Sequence, residues 1–265
     1  MAPDDVREPR APPQAAAGVL SAIYLVPAFY LCLAVFGLSA LAWSLPAGLL
    51  HRLLPGRRGE RLGQFGIMAG FRWFVAVMRA TGVLRADFTE LDRLRDEPGI
   101  VIAPNHPTML DAVLLISRLP RVVCITKATL WDSTFLGGGI RLAGYIRNDT
   151  PLPMIRQAAA TIREGGRLMV FPEGSRTGRY PVDRFHRSFA VMAKAAGAPV
   201  QTVFVEADNP YLAKGWPLFR RPVLPLVFRF RLGRRFEVGN DPEAFTRALE
   251  DYFREGLRGR LSPGR

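Results

Sequence analysis

Between Ala15 and Leu50 the chain carries no charged residue, and Ile23, Leu25, Phe29, Leu31, Val35, Phe36, Leu41 and Trp43 crowd the run. About twenty apolar residues cross a bilayer, so this segment predicts one span with length to spare. Pro27, Gly37 and Pro46 mark places where it could instead fold back as a shallow re-entrant hairpin. Residues 62–84 are a second apolar stretch, but Arg72 and Arg79 interrupt it. That pattern predicts a helix lying in the membrane interface or packed on a globular core, and the two are compatible. From Phe88 onward short apolar runs alternate with amphipathic ones. Strands are expected at 99–103, 121–126, 167–171 and 200–206, and helices at 107–119, 152–163 and 185–196. Pro107 is expected in the first turn of its helix, and Gly137-Gly138-Gly139 in a tight loop. Residues 223–231 alternate apolar and basic side chains as an edge strand does, with 235–238 as a possible partner. Asp241 and Pro242 open a last helix reaching about Leu257.

Strands alternating with helices imply an α/β fold, a mostly parallel central sheet flanked by helices, here preceded by an N-terminal membrane-associated helical segment. The expected division is a disordered tail over 1–14, a membrane-anchoring helical region over 15–84, a catalytic domain over 85–258 and a tail over 259–265. The segment before the apolar run is not net positive, which argues against a cleaved signal peptide. Positive charge follows the run instead, at Arg52, Arg57, Arg58 and Arg61, which by the positive-inside rule places the globular part in the cytoplasm, on the inner membrane.

Composition narrows the partners. The 265 residues carry a net charge of +13, which favours anionic lipid, acidic proteins or nucleic acid. Lysine stands only at 127, 194 and 214, so the charge is almost all arginine, and it is scattered rather than grouped with aromatics as nucleic-acid binding favours. The two cysteines, Cys32 and Cys124, have no metal-ligand spacing and read as buried, reduced thiols; no metal site is expected.

Candidate chemistry sits where two apolar strands end. In Asn105-His106-Pro107-Thr108-Met109-Leu110-Asp111 a histidine and a carboxylate stand five positions apart. On one helix they would lie about 140° apart and never meet. They meet if His106 precedes the helix and Asp111 lies in its second turn. Asp111 then fixes the imidazole, and the other ring nitrogen is left to accept a proton from a hydroxyl. In Phe171-Pro172-Glu173-Gly174-Ser175-Arg176-Thr177 a strand runs into a carboxylate, a glycine, two hydroxyls and an arginine, at the strand end where open α/β sheets bind ligands. Arg176 is able to grip a phosphate through two donors, and Gly174 allows close backbone approach.

Asn-His-x4-Asp followed some sixty residues later by Phe-Pro-Glu-Gly-Ser-Arg resembles the glycerolipid, lysophosphatidic acid type, acyltransferase family. Lys127, Gly144-Tyr145-Ile146-Arg147 and Ala198-Pro199-Val200 extend the resemblance over about 85–210; Phe185-His186-Arg187-Ser188 departs from a Phe-Lys-x-Gly pattern. The resemblance implies His106 as base and Asp111 as its orienter. It also implies an acceptor-contact set of Asn105, Lys127, Arg147, Glu173, Gly174, Ser175, Arg176 and Thr177. It implies acyl transfer from acyl-CoA or acyl carrier protein, as co-substrate rather than cofactor, to a lysophospholipid hydroxyl. Two alternatives stand beside it: acylation of a non-phosphate bacterial lipid, and a non-catalytic, membrane-tethered basic binding protein. No nucleic-acid partner is expected.

Overall fold

A computed structural model describes residues 14–258. The expected tails lie outside the described residues, except that Gln14 already begins the first helix. The elements in order are α1 (Gln14–Leu53), α2 (Arg57–Ala80), β1 (Leu84–Asp87), a 3-10 turn (Leu91–Leu94), β2 (Val101–Pro104), α3 (Leu110–Arg118), β3 (Val122–Thr126), α4 (Ala128–Trp131) and α5 (Gly137–Leu142). Then follow β4 (Ile146–Arg147), α6 (Pro151–Arg163), β5 (Arg167–Met169), α7 (Ser188–Ala196), β6 (Val200–Ala207), β7 (Leu226–Phe236) and α8 (Pro242–Leu257).

One seven-stranded sheet runs in the order β1-β7-β6-β2-β5-β3-β4. Strands β6, β2, β5, β3 and β4 are parallel; β7 is antiparallel to β6, and β1 runs with β7. Every residue of β2, β5 and β6 is buried, as expected of parallel strands covered on both faces. Helices α6, α7 and α8 pack on one another, and α1, α2, α3 and α5 form a second packed group. The mostly parallel sheet flanked by helices is therefore the architecture expected from the alternating pattern.

Four local expectations are corrected. Strand β7 is interior rather than an edge, because the short β1 covers its outer side; only Leu84 of β1 is buried, so β1 has almost no apolar signal. Residues 235 and 236 continue β7 instead of pairing with it. Pro107 stands outside α3, which starts at Leu110 and puts Asp111 in its first turn. The three consecutive glycines form the first turns of α5, not a loop. A Cβ on Gly138 would lie 2.0 Å from the Ser44 carbonyl oxygen, and one on Gly63 would lie 2.3 Å from the Ala143 nitrogen. Glycine serves there to let the backbones of α1, α2 and α5 touch, which propensity alone reads as a breaker.

Helix α1 is continuous through Pro27 and Pro46. It reverses into α2 only at Leu54–Gly56, where Gly56 takes φ +80°. One side of α1, including Ala28, Phe29, Cys32, Ser44 and Ala47, is buried. The opposite side shows Ile23, Leu31, Leu38, Leu45 and Leu49, each more than half exposed. Helix α2 packs on α1, α3 and α5 through Ile67, Phe74, Val75 and Met78, while Phe65 and Trp73 face outward. It is thus core-packed on one face and apolar on its free face.

Candidate active site

The parallel registers set the carboxyl ends of β2, β5, β3 and β4 along one edge of the sheet. His106 follows β2, Glu173 follows β5, Lys127 follows β3, and Arg147 ends β4. Topology therefore delivers the sequence motifs to a single edge.

His106 lies in the junction between β2 and α3. Its Nδ1 is 2.9 Å from Asp111 Oδ1 and 3.1 Å from Oδ2. The Asp111 side chain has no solvent exposure, and its Oδ2 also accepts the Thr108 backbone N–H at 3.1 Å. A carboxylate in the first turn of α3 gains from the unpaired amides there. The Phe171 ring stacks on the imidazole, centroids 3.7 Å apart and planes 17° from parallel. Bond and stack together leave the ring one orientation. With Nδ1–H donating to Asp111, Nε2 carries no protein partner among the described residues, and the side chain is 14% exposed. An imidazole held in this way can accept a proton at Nε2.

Glu173 joins the two motifs. Its Oε1 accepts the His106 backbone N–H at 2.9 Å and the Thr177 hydroxyl at 2.9 Å, and its Oε2 accepts the Asp183 N–H at 2.8 Å. The Thr177 N–H returns a bond to the His106 carbonyl at 2.8 Å. Burial pushes the Glu173 carboxyl above the ordinary carboxylate range, opposed by the Asp183 and His106 amides and the Thr177 hydroxyl. The side chain is thus occupied with shaping the loop that carries His106. Gly174 takes φ +65°, and a Cβ there would come within 2.9 Å of the His186 ring.

The other expected contacts fall in three groups. The Asn105 amide is buried and clamps β6, donating to Val205 O at 2.9 Å and accepting Val205 N–H at 2.7 Å. Arg176 donates to the carbonyls of Leu212 and Ala213 at 2.9 and 3.0 Å, and the Ser175 hydroxyl donates to Arg176 O at 3.3 Å. Arg147 is paired with Asp149 at 2.7 Å and Asp132 at 3.2 Å, which hold its guanidinium firmly charged. Lys127 is exposed at the start of α4. A cavity against Glu173 and Ser175 is lined by Arg179, Arg184, His186 and Arg254. Of these, Arg254 is held by Glu250, whereas Arg179, Arg184 and His186 have no side-chain hydrogen bond or ion pair among the described residues. His186 is expected from the sequence as a structural or peripheral substrate contact, whereas Arg179, Arg184 and Phe171 as a ring partner do not stand out there. The run Arg179, Arg184, His186, Arg187 was the available signal for the cations.

Among the described residues no three His, Cys, Asp or Glu side chains converge as metal ligands. Cys32 and Cys124 are free and buried, and burial pushes the Cys124 thiol up to about 12.

Residues 85–206 match the acyltransferase family model. The chain is 23% identical over 194 residues to a 1-acyl-sn-glycerol-3-phosphate acyltransferase of Pseudomonas aeruginosa, covering 71% of this chain and 73% of that protein. It is 29% identical over 190 residues to the human 1-acyl-sn-glycerol-3-phosphate acyltransferase beta, covering 68% of this chain and 64% of the relative. The crystal structure of the 1-acyl-sn-glycerophosphate (LPA) acyltransferase from Thermotoga maritima superposes with a TM-score of 0.63 at 16% identity, over 92% of this chain and 99% of that one.

Proposed function

We propose, from the match of residues 85–206 to the acyltransferase family model, that this chain is a membrane-bound O-acyltransferase acting on a lysophospholipid of the 1-acyl-glycerol-3-phosphate type. The observation that carries the mechanism is the 2.9 Å bond from His106 Nδ1 to the buried Asp111, with Nε2 left open. In this reading Nε2 takes the proton of the acceptor hydroxyl as its oxygen attacks the carbonyl carbon of a thioester. The tetrahedral intermediate collapses with cleavage of the C–S bond. The imidazolium returns its proton to the departing thiolate, giving an ester and a free thiol. The donor is acyl-CoA or acyl carrier protein, whose acidic character suits the basic surface. The acceptor phosphate is served by the groups beside Glu173: the Arg179 and Arg184 guanidinium groups have no side-chain partner among the described residues, and His186 lies with them, while Arg147 and Arg176 are already engaged.

Membrane association is supported by α1, whose segment Ile23–Leu53 is long and apolar enough to cross a bilayer. Because one side of α1 is covered by the domain, its free face and that of α2 are what lipid would meet. Arg52, Arg57, Arg58 and Arg61 at the α1–α2 reversal favour the cytoplasmic leaflet of the inner membrane.

The decisive assay is transfer from an acyl thioester to lysophosphatidic acid by the purified chain. His106→Ala is expected to lower turnover by about a thousandfold or more while the chain still folds, as circular dichroism checks. Full activity in the folded variant would sink the mechanism.

A further inference from the structure

Between β6 and β7 lies a long connection, residues 208–225, whose carbonyls at Leu212 and Ala213 anchor Arg176. Long loops without regular structure in a packed domain usually carry a function. This one is well tied. Asn209 accepts the Tyr211 N–H at 2.9 Å and donates to Val223 O at 3.0 Å, and Arg220 sits 4.6 Å over the Trp216 ring. Despite that order it holds large apolar side chains in the open: Leu218 is 46% exposed, Phe219 71% and Val223 79%. Lys214, Arg220 and Arg221 stand exposed beside them.

Two contacts set its position. Toward α1, Tyr30 Oη donates to Phe219 O at 3.2 Å, and the Phe29 and Tyr211 rings meet edge-on at 5.2 Å. Toward the site, Leu212 O accepts the Met109 N–H at 3.1 Å, three residues from His106, and Arg176 holds the same carbonyl. Met109 itself is 47% exposed. The loop therefore continues the bare apolar side of α1, where Ile23, Tyr24 and Leu31 are open, up to the edge that carries the base.

We propose that residues 214–223 form a second membrane contact, separate from the α1–α2 pair. Phe219 and Val223 enter the acyl layer, and Lys214, Arg220 and Arg221 lie among anionic headgroups. The loop then acts as the lip over which a lysolipid passes from the bilayer to His106. Apolar side chains ringed by arginine and lysine are the composition an anionic lipid surface selects, and continuity with α1 favours lipid over a protein partner. The proposal rests on the membrane reading above.

A label separates the two. Cys32 and Cys124 are buried, so an environment-sensitive fluorophore on Phe219→Cys reports that position alone. The full chain is reconstituted in phosphatidylcholine vesicles containing phosphatidylglycerol, with Asp251→Cys on α8 as the control site. Position 219 should give blue-shifted emission quenched by brominated acyl chains, and position 251 water-like emission. Protein that floats with the vesicles yet gives water-like emission at 219 overturns the lip and spares the membrane reading. Protein that does not associate with vesicles overturns both. As a second arm, the Phe219→Ala, Val223→Ser pair should raise KM for acceptor presented in vesicles by about tenfold and leave turnover in detergent micelles unchanged. Equal losses in both formats would indicate a merely structural loop and overturn the proposal.

Discussion

Two regions of this molecule bring distant segments together by opposite means. At the catalytic edge the joints are polar side chains turned onto backbone: Glu173 onto His106 and Asp183, Asn105 onto Val205, Arg176 onto Leu212 and Ala213. At the α1–α2–α5 junction the joints are missing side chains, with Gly63 against Ala143 and Gly138 against Ser44. Polar joints fix direction, since a hydrogen bond weakens steeply when bent. Bare joints fix distance, since nothing larger than hydrogen fits. On the function proposed above the difference suits the tasks: a base would have to point, and an anchor would have to stay close.

The largest way to break the contrast is at the orienting pair. Asp111→Asn keeps shape but offers a mixed donor and acceptor to Nδ1, so a wrong tautomer competes. Turnover should fall by about a thousandfold, roughly 4 kcal/mol, with little change in KM for the acceptor; steady-state kinetics check both. Next comes the bare joint. Gly63→Val forces α2 off the backbone of residues 142 and 143. It should cost about 3 kcal/mol of stability, with melting temperature as the measure, and any folded fraction should keep its kcat.

The smallest effect is a pH dependence at the polar joint. Burial raises the Glu173 carboxyl in the folded chain above its ordinary 4.5. In the window from 4.5 up to that raised value the folded state holds more proton than the unfolded one. This group's contribution to stability is therefore full below 4.5 and lost as pH rises through the folded value. Glu173→Gln lacks it. The melting-temperature gap between wild type and variant should be widest in acid and narrow toward neutrality; a gap that widens with rising pH contradicts the assignment.

What was legible in the chain follows the same divide. The strand–helix alternation and the His106–Asp111 meeting rest on local signals, namely apolar period and a five-residue spacing that only a strand-to-helix junction satisfies. The start of α3 was misplaced because residues 106–109 are held by tertiary bonds, Met109 to Leu212 and His106 to Glu173 and Thr177, which override the proline's preference. Motif letters also name a residue type without its partner. Glu173 and Arg176 read as ligand contacts, yet Glu173 meets two backbone amides and the Thr177 hydroxyl, and Arg176 meets two backbone carbonyls. Gly137-Gly138-Gly139 was opaque for a similar reason: its meaning lies in α1, some ninety residues earlier.

One feature of the sheet carries further. Because β7 turns back against β6 and β1 runs with β7, the chain enters the sheet from the catalytic edge, and only Thr81, Gly82 and Val83 separate α2 from β1. That link is short, and α2 is also packed on α3 and α5. On the function proposed above, the helical pair and His106 would move together, and the height at which α1 and α2 sat in a bilayer would fix the depth of the imidazole. A lipid whose hydroxyl lay at another depth would then have to rise or sink to be acylated, and selectivity among acceptors would be set partly by buoyancy.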